Sequence, residues 1–106
     1  MMKYFPAALL ALAGCATVDD FDRRAPDGRY SSDRNVPVLT QCISSAIAPL
    51  GRVSVERGET STLITLRREN GYALARVTLR PTQAGSTVAI RQAISYSLGT
   101  AIQNCL

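Results

Sequence analysis

The sequence predicts an α+β fold, a two-layer sandwich in which two helices cover one face of a four-stranded antiparallel meander. Three observations predict it. Apolar residues recur at helical spacing in two stretches, Val36 to Leu50 and about Ser95 to Leu106. Between them lie four short segments in which apolar and polar residues alternate, the pattern of half-buried strands. Two of those segments flank Asn70-Gly71, the strongest hairpin-turn dipeptide in the chain.

In the first helix, Leu39, Cys42, Ile43, Ala46, Ile47 and Leu50 form one stripe. Asn35 suits its N-cap and Pro37 its first turn, while Pro49 and Gly51 stop it. The strands follow. Arg52 to Arg57 puts Val53 and Val55 on one face, and Gly58-Glu59 offers a two-residue turn. Ser61 to Glu69 adds Thr62, Ile64 and Leu66 to that face. A type I′ turn at Asn70-Gly71 would then pair Glu69 with Tyr72, Arg67 with Leu74 and Thr65 with Arg76. Tyr72 to Arg80 contributes Ala73, Ala75, Val77 and Leu79 to the apolar face. After a Pro81 to Gly85 loop, Thr87 to about Ala93 contributes Val88 and Ile90. In the last helix Ile94, Leu98, Ala101, Ile102 and Cys105 share a stripe, which Gly99 weakens by about 1 kcal/mol relative to alanine.

The N-terminus is of another kind. Residues 1–14 hold one lysine and an apolar run from Tyr4 to Ala13, too short for the roughly 20 residues that span a bilayer as a helix. The run ends in Leu12-Ala13-Gly14-Cys15, which resembles the lipobox of bacterial lipoproteins. That resemblance implies cleavage before Cys15 and acylation of Cys15, palmitate included. With Ala16 rather than aspartate next in line, it implies delivery to the outer membrane, facing the periplasm, rather than retention at the inner membrane. The competing reading is an ordinary signal peptide that leaves Cys15 a plain thiol. Since each buried methylene contributes about 0.8 kcal/mol, several acyl chains make such an anchor effectively permanent.

The rest of the division follows. Residues 15–35 read as a lipidated N-terminus and flexible tether, rich in Asp, Arg, Ser, Pro and Gly without apolar periodicity. Residues 36–106 read as a single domain of about 70 residues, a size at which burial alone is marginal and a covalent staple is often needed. With Cys15 set aside for lipid, Cys42 and Cys105 remain to pair, as expected in an oxidising compartment. Successive chain reversals bring the early part of the first helix beside the late part of the second, which is where these cysteines lie. Two free buried thiols are the alternative.

The chain carries a net charge of +4, and its single lysine, Lys3, lies in the signal segment. A basic balance favours anionic partners. In an envelope these would be anionic lipid, phosphorylated glycan or an acidic protein face rather than nucleic acid. There is no histidine. That removes Ser-His-Asp and Cys-His catalysis and histidine metal sites, and the lack of a domain lysine removes Schiff-base chemistry. Glu56 and Glu59 fall at one end of the second strand and Glu69 at the other, too far apart to act on one bond at about 3.3 Å per residue. Neither an enzyme nor a cofactor is expected.

The remaining surface of interest is the sheet face away from the helices, where Arg67, Arg76 and Arg91 fall together beside Leu63, Tyr72 and Leu74. Either plausible register sets Arg91 opposite or diagonal to Arg76, within about 8 Å. Two readings stand. The arginines simply solvate a one-sided sheet, or they bind an anion such as the phosphate or carboxylate of a lipid or glycan. Arg52, Arg57, Arg68 and Arg80 read as rim residues. The general design resembles small outer-membrane lipoproteins that serve as accessory or assembly factors. This implies a tethered, non-catalytic interaction module, with the open sheet face or an exposed edge turned to an envelope protein. Binding of anionic lipid or glycan through the arginines is the second expectation.

Overall fold

The computed structural model describes residues 23–92 and 98–106. The lipobox, the signal segment, the first part of the tether and the passage from the last strand into the last helix lie outside the described residues.

Among the described residues the architecture is α+β, with one antiparallel sheet and two helices, but the sheet has five strands rather than four. In chain order these are β1 (Gly28–Ser32), α1 (Val36–Ile47), a short 3₁₀ turn (Ala48–Leu50), β2 (Arg52–Arg57), β3 (Thr62–Arg67), β4 (Ala73–Thr82), β5 (Gly85–Gln92) and α2 (Leu98–Gln103). The strands lie in the order β1-β5-β4-β3-β2. β2 to β5 form the expected meander. The added strand, β1, comes from the stretch read as tether, and it pairs with β5 from Gly28 opposite Ile90 to Ser32 opposite Ser86. Its sequence, Gly-Arg-Tyr-Ser-Ser, carries one apolar side chain and hence no alternation to read. It is a strand because β5 offers an unpaired row of backbone donors and acceptors, not because of its own pattern. Tyr30 supplies the apolar anchor against the core, and Ser32 Oγ donates to the carbonyl oxygen of Leu106 at 3.2 Å.

α1 begins as its sequence requires. Asn35 Oδ1 accepts from Val38 N at 3.0 Å, and Pro37 sits in the first turn. Leu39, Ile43 and Ile47 are buried, whereas Ala46 faces outward and Leu50 is exposed. The stripe therefore narrows toward its C-terminal end, where the chain tightens into the 3₁₀ turn. α1 packs on β2, β3 and β4, and α2 packs on α1. Both helices feed the same core, in which Leu39, Ile43, Leu98 and Ile102 meet Ile64, Leu66, Val77, Leu79, Val88 and Ile90. A fully buried side chain of this size contributes roughly 1.5–3 kcal/mol. The staple is present as well: Cys42 and Cys105 form a disulfide across a sequence separation of 63, with Cα atoms 5.8 Å apart.

All three hairpins of the meander differ in detail from the sequence reading. β2 and β3 are joined by the four residues Gly58 to Ser61, closed by Gly58 N donating to Ser61 O at 2.8 Å. The two added residues keep the parity, so Val53 and Val55 still share a face with Ile64 and Leu66. β4 and β5 run on through Pro81 and Thr82 and turn in the two residues Gln83-Ala84. Because β3 ends opposite Leu79, the stretch Arg80–Thr82 has a strand on one side only, the edge setting in which proline is tolerated.

The hairpin at Asn70-Gly71 is the most instructive. Gly71 N donates to Arg68 O and Arg68 N donates to Tyr72 O, both at 2.9 Å. The connection thus has three residues, Glu69 to Gly71, with Gly71 at a φ of 90°. It is not the two-residue type I′ turn. The change shifts Arg67 from Leu74 to Ala73, and a bulge then places Leu74 and Ala75 together opposite Leu66. The two irregularities cancel, so Thr65 still stands opposite Arg76. Leu74, expected on the open face, is the bulge residue and belongs to the core cluster at 1 % exposure.

Candidate functional site

The sheet face away from the core cluster carries Ser54 on β2, Leu63, Thr65 and Arg67 on β3, Arg76, Thr78 and Arg80 on β4, and Thr87, Ala89 and Arg91 on β5. β1 adds Arg29 and Ser31, in the pairings Arg29–Ala89–Thr78 and Ser31–Thr87–Arg80. Arg76 and Arg91 are directly opposite one another. This is the closer of the two registers open to the sequence.

The three arginines singled out from sequence have different surroundings. Arg76 is only 4 % exposed, and its Nη1 donates to Oγ1 of the fully buried Thr65 at 3.1 Å. Arg67 Nη1 donates to Ser54 Oγ at 3.2 Å, toward the β2 side. Arg91 Nε donates to the carbonyl oxygen of Arg24 at 2.8 Å, toward the β1 side. The register brings Arg76 and Arg91 together, whereas their hydrogen bonds direct Arg67 and Arg91 away from each other. The centre of this face is enclosed rather than solvated.

Part of what lies on it is the chain that leads into β1. Besides the Arg24 contact, Gln92 N donates to Asp27 Oδ2 at 2.7 Å and Asp27 N donates to Ile90 O at 2.7 Å. Arg24 and Asp27 also form an exposed ion pair at 3.2 Å. Pro26 sits with Leu63 and Arg91 at the wall of a hollow.

That hollow, about 330 Å³, is also lined by Arg29, Thr78, Arg80 and Ala89. A second of about 310 Å³ shares those four residues and adds Ser31 and Thr87. Together they make a concavity over β1, β5 and β4 whose floor is small, with Ala89 between Arg29 and Thr78. No carboxylate lines either hollow. The Arg29 and Arg80 side chains are exposed and make no hydrogen bond or ion pair among the described residues. Arg91 is half-buried, and its Nη groups are not used in the bond to Arg24.

Neither Arg29 nor Arg80 was among the arginines grouped from sequence. For Arg80 the signal existed, since parity along β4 sets it on the face of Arg76 and Thr78. For Arg29 there was none, because only pairing with β5 makes its segment a strand.

Two other features bear on what this molecule can do. A wider hollow of about 560 Å³ lies at the end of the sheet where α1 exits, lined by Pro49, Leu50, Gly51, Leu74 and the Arg68–Asn70 turn. The three glutamates do not converge: Glu69 alone lines this hollow, in the turn at the far end of β3, while Glu56 pairs opposite Leu63 and Glu59 is in the β2–β3 loop. Among the described residues no group of three or more His, Cys, Asp or Glu side chains is placed to hold a metal ion. No helix among them is long and apolar enough to cross a membrane. No protein-family model, curated protein or solved structure matches this chain.

Proposed function

We propose that this protein is an outer-membrane lipoprotein anchored through Cys15, whose domain acts as a non-catalytic interaction module on the periplasmic side. The observation that carries the interaction reading is the outer edge of β2, which no strand among the described residues pairs with. Among the described residues this six-residue strand ends the sheet, with β3 on one side only. Its outer row of backbone groups is available to an extended segment of a partner protein, the mode known as strand addition. Arg52, Ser54, Glu56 and Arg57 are exposed along it, and these mixed charges select a partner rather than admit any strand.

The test is site-specific photo-crosslinking in intact cells, with the probe at Ser54 or Glu56 and a control at Gln83 in the opposite turn. A discrete protein adduct from the β2 positions alone is expected. Equal labelling from Gln83, or none from β2, would remove the edge as the docking element. The anchor is tested separately. Cys15→Ser should move the protein from the membrane to the soluble envelope fraction and abolish incorporation of labelled palmitate.

A second reading, binding of an anionic lipid or glycan, is favoured by one specific observation. Arginine side chains crowd this sheet face without a carboxylate among the residues lining its hollows. Like charges set side by side on a sheet destabilise it unless an anion lies between them.

A further inference from the structure

The geometry points to a phosphate-binding cup over β1, β5 and β4, in which Arg29, Arg80 and Arg91 hold a phosphate monoester above Ala89, Thr78 and Thr87. The inference rests on the second reading above and moves its site away from Arg67 and Arg76. Arg76 is enclosed and bonded to Thr65, and Arg67 is turned to Ser54, so neither offers its fork to a ligand in the hollow.

The placement of the cup follows from strand pairing. Arg29 stands opposite Ala89, which stands opposite Thr78; Arg80 stands opposite Thr87 on the next outward-facing rung. β1 and β4 are two strand spacings apart, about 10 Å, so two guanidinium arms approach a group held over β5 from opposite sides. Arg91 lies two residues along β5 from Ala89, about 7 Å, and closes a third side. Between these three stands the smallest side chain of the rung. An alanine there leaves room for a ligand, where a larger residue would fill the hollow.

The donor count selects the ligand. Two exposed guanidinium forks, the Nη groups of Arg91, and the Thr78 and Thr87 hydroxyls offer more donors than the two oxygens of a carboxylate can accept. The three terminal oxygens of a phosphate monoester, with close to two negative charges, match them better than the two of a diester. No lining carboxylate competes.

The cup is also near the proposed anchor. Arg24 is fixed to the sheet through Arg91, and residues 16–23 reach at most about 30 Å when extended. Phosphate monoesters of membrane lipids and soluble phosphate esters are both within range of that position.

The test is calorimetric titration of the full chain in neutral detergent micelles. The probes are inorganic phosphate, glycerol phosphate and short-chain phosphatidic acid, with short-chain phosphatidylcholine as the blank. Arg29→Gln/Arg80→Gln is compared with Arg52→Gln/Arg57→Gln, which removes the same charge from the β2 edge. All four positions are exposed, and matching unfolding midpoints check that both variants fold. Saturable binding of a phosphate monoester, weakened at least tenfold in the first variant and less than twofold in the second, is expected. Phosphatidic acid alone binding assigns the source to lipid headgroups, and glycerol phosphate binding equally well assigns it to the phosphate itself. Equal weakening in both variants overturns the cup and leaves the broader anion reading standing. No binding of any phosphate probe overturns the cup and, with it, a phospholipid as the ligand of the second reading.

Discussion

Arg91, on β5, donates from Nε to the carbonyl oxygen of Arg24 at 2.8 Å, across 67 residues of sequence. The contact makes residues 24–27 part of the domain rather than of a spacer. Asp27 reinforces it by accepting from Gln92 N at 2.7 Å while its own N–H donates to Ile90 O. Removing the Asp27 carboxylate leaves the Gln92 amide to water and frees this corner of the sheet. Asp27→Ala should destabilise the domain by about 1 kcal/mol. The loss should be read from the denaturant midpoint, with faster amide exchange at Gln92. Exchange at Gln92 no faster than in the unsubstituted protein would mean that the segment is held by other contacts.

The disulfide should carry a large share of the stability. A bond closing a loop of this length restricts the unfolded chain by about 4 kcal/mol in the loop-entropy account. Cys42→Ser and Cys105→Ser should each cost about that much, and strong reductant should have the same effect on the unsubstituted protein. Urea unfolding with and without reductant makes the comparison. An unchanged midpoint under conditions that demonstrably free both thiols would show that the core suffices without the bond.

Gly85 sits at the start of β5 with a φ of 151°, and a Cβ added there would collide with the backbone carbonyl of Ser32 and with Asp33. Gly85→Ala should therefore cost about 2 kcal/mol or more, combining backbone strain with a clash that only displacement of β1 can relieve. By contrast Gly71, also at positive φ, has nothing near its missing Cβ. Gly71→Asn should be tolerated with a loss below about 1 kcal/mol. Thermal unfolding of the two variants side by side tests this ranking.

Arg76 and Arg67 differ in the same way. Arg76→Ala should destabilise by about 2–4 kcal/mol, since it empties a buried volume and strands the Thr65 hydroxyl. Arg67→Ala loses one hydrogen bond at a half-buried site and should cost about 1 kcal/mol or less. Similar costs in equilibrium unfolding would contradict the enclosure of Arg76.

Much of this was legible in the residues alone. The apolar stripe of α1, its Asn35 cap and the in–out alternation of β2 to β5 depend on local spacing, which sequence carries directly. The Cys42–Cys105 pairing followed from setting Cys15 aside and from the element order. The facing of Thr65 and Arg76 followed from the assumed Asn70-Gly71 turn and survived only because the longer turn and the bulge at Leu74 offset one another. The bulge itself was not legible. An extra residue changes a side chain's face by how the neighbouring strand is engaged, and no one-strand pattern records that.

The proposed lipid address rests on Leu12-Ala13-Gly14-Cys15 alone, which lies outside the described residues. Periodicity determined that Leu39, Ile43 and Ile47 of α1 and Ile64, Leu66, Val77, Leu79, Val88 and Ile90 of the strands go inside, because burial of one face is a local demand; it did not place Leu74 or Leu50. Tertiary structure alone decided that Gly28–Ser32 is a strand, that the sheet face bearing Arg76 is enclosed, and that Arg29 joins Arg80 and Arg91 around Ala89. Each of those depends on a partner distant in the chain: β5 for the strand and for the placing of Arg29, and Thr65 for the enclosed Arg76. A five-residue stretch with one apolar side chain has no preference strong enough to announce such a partner in advance.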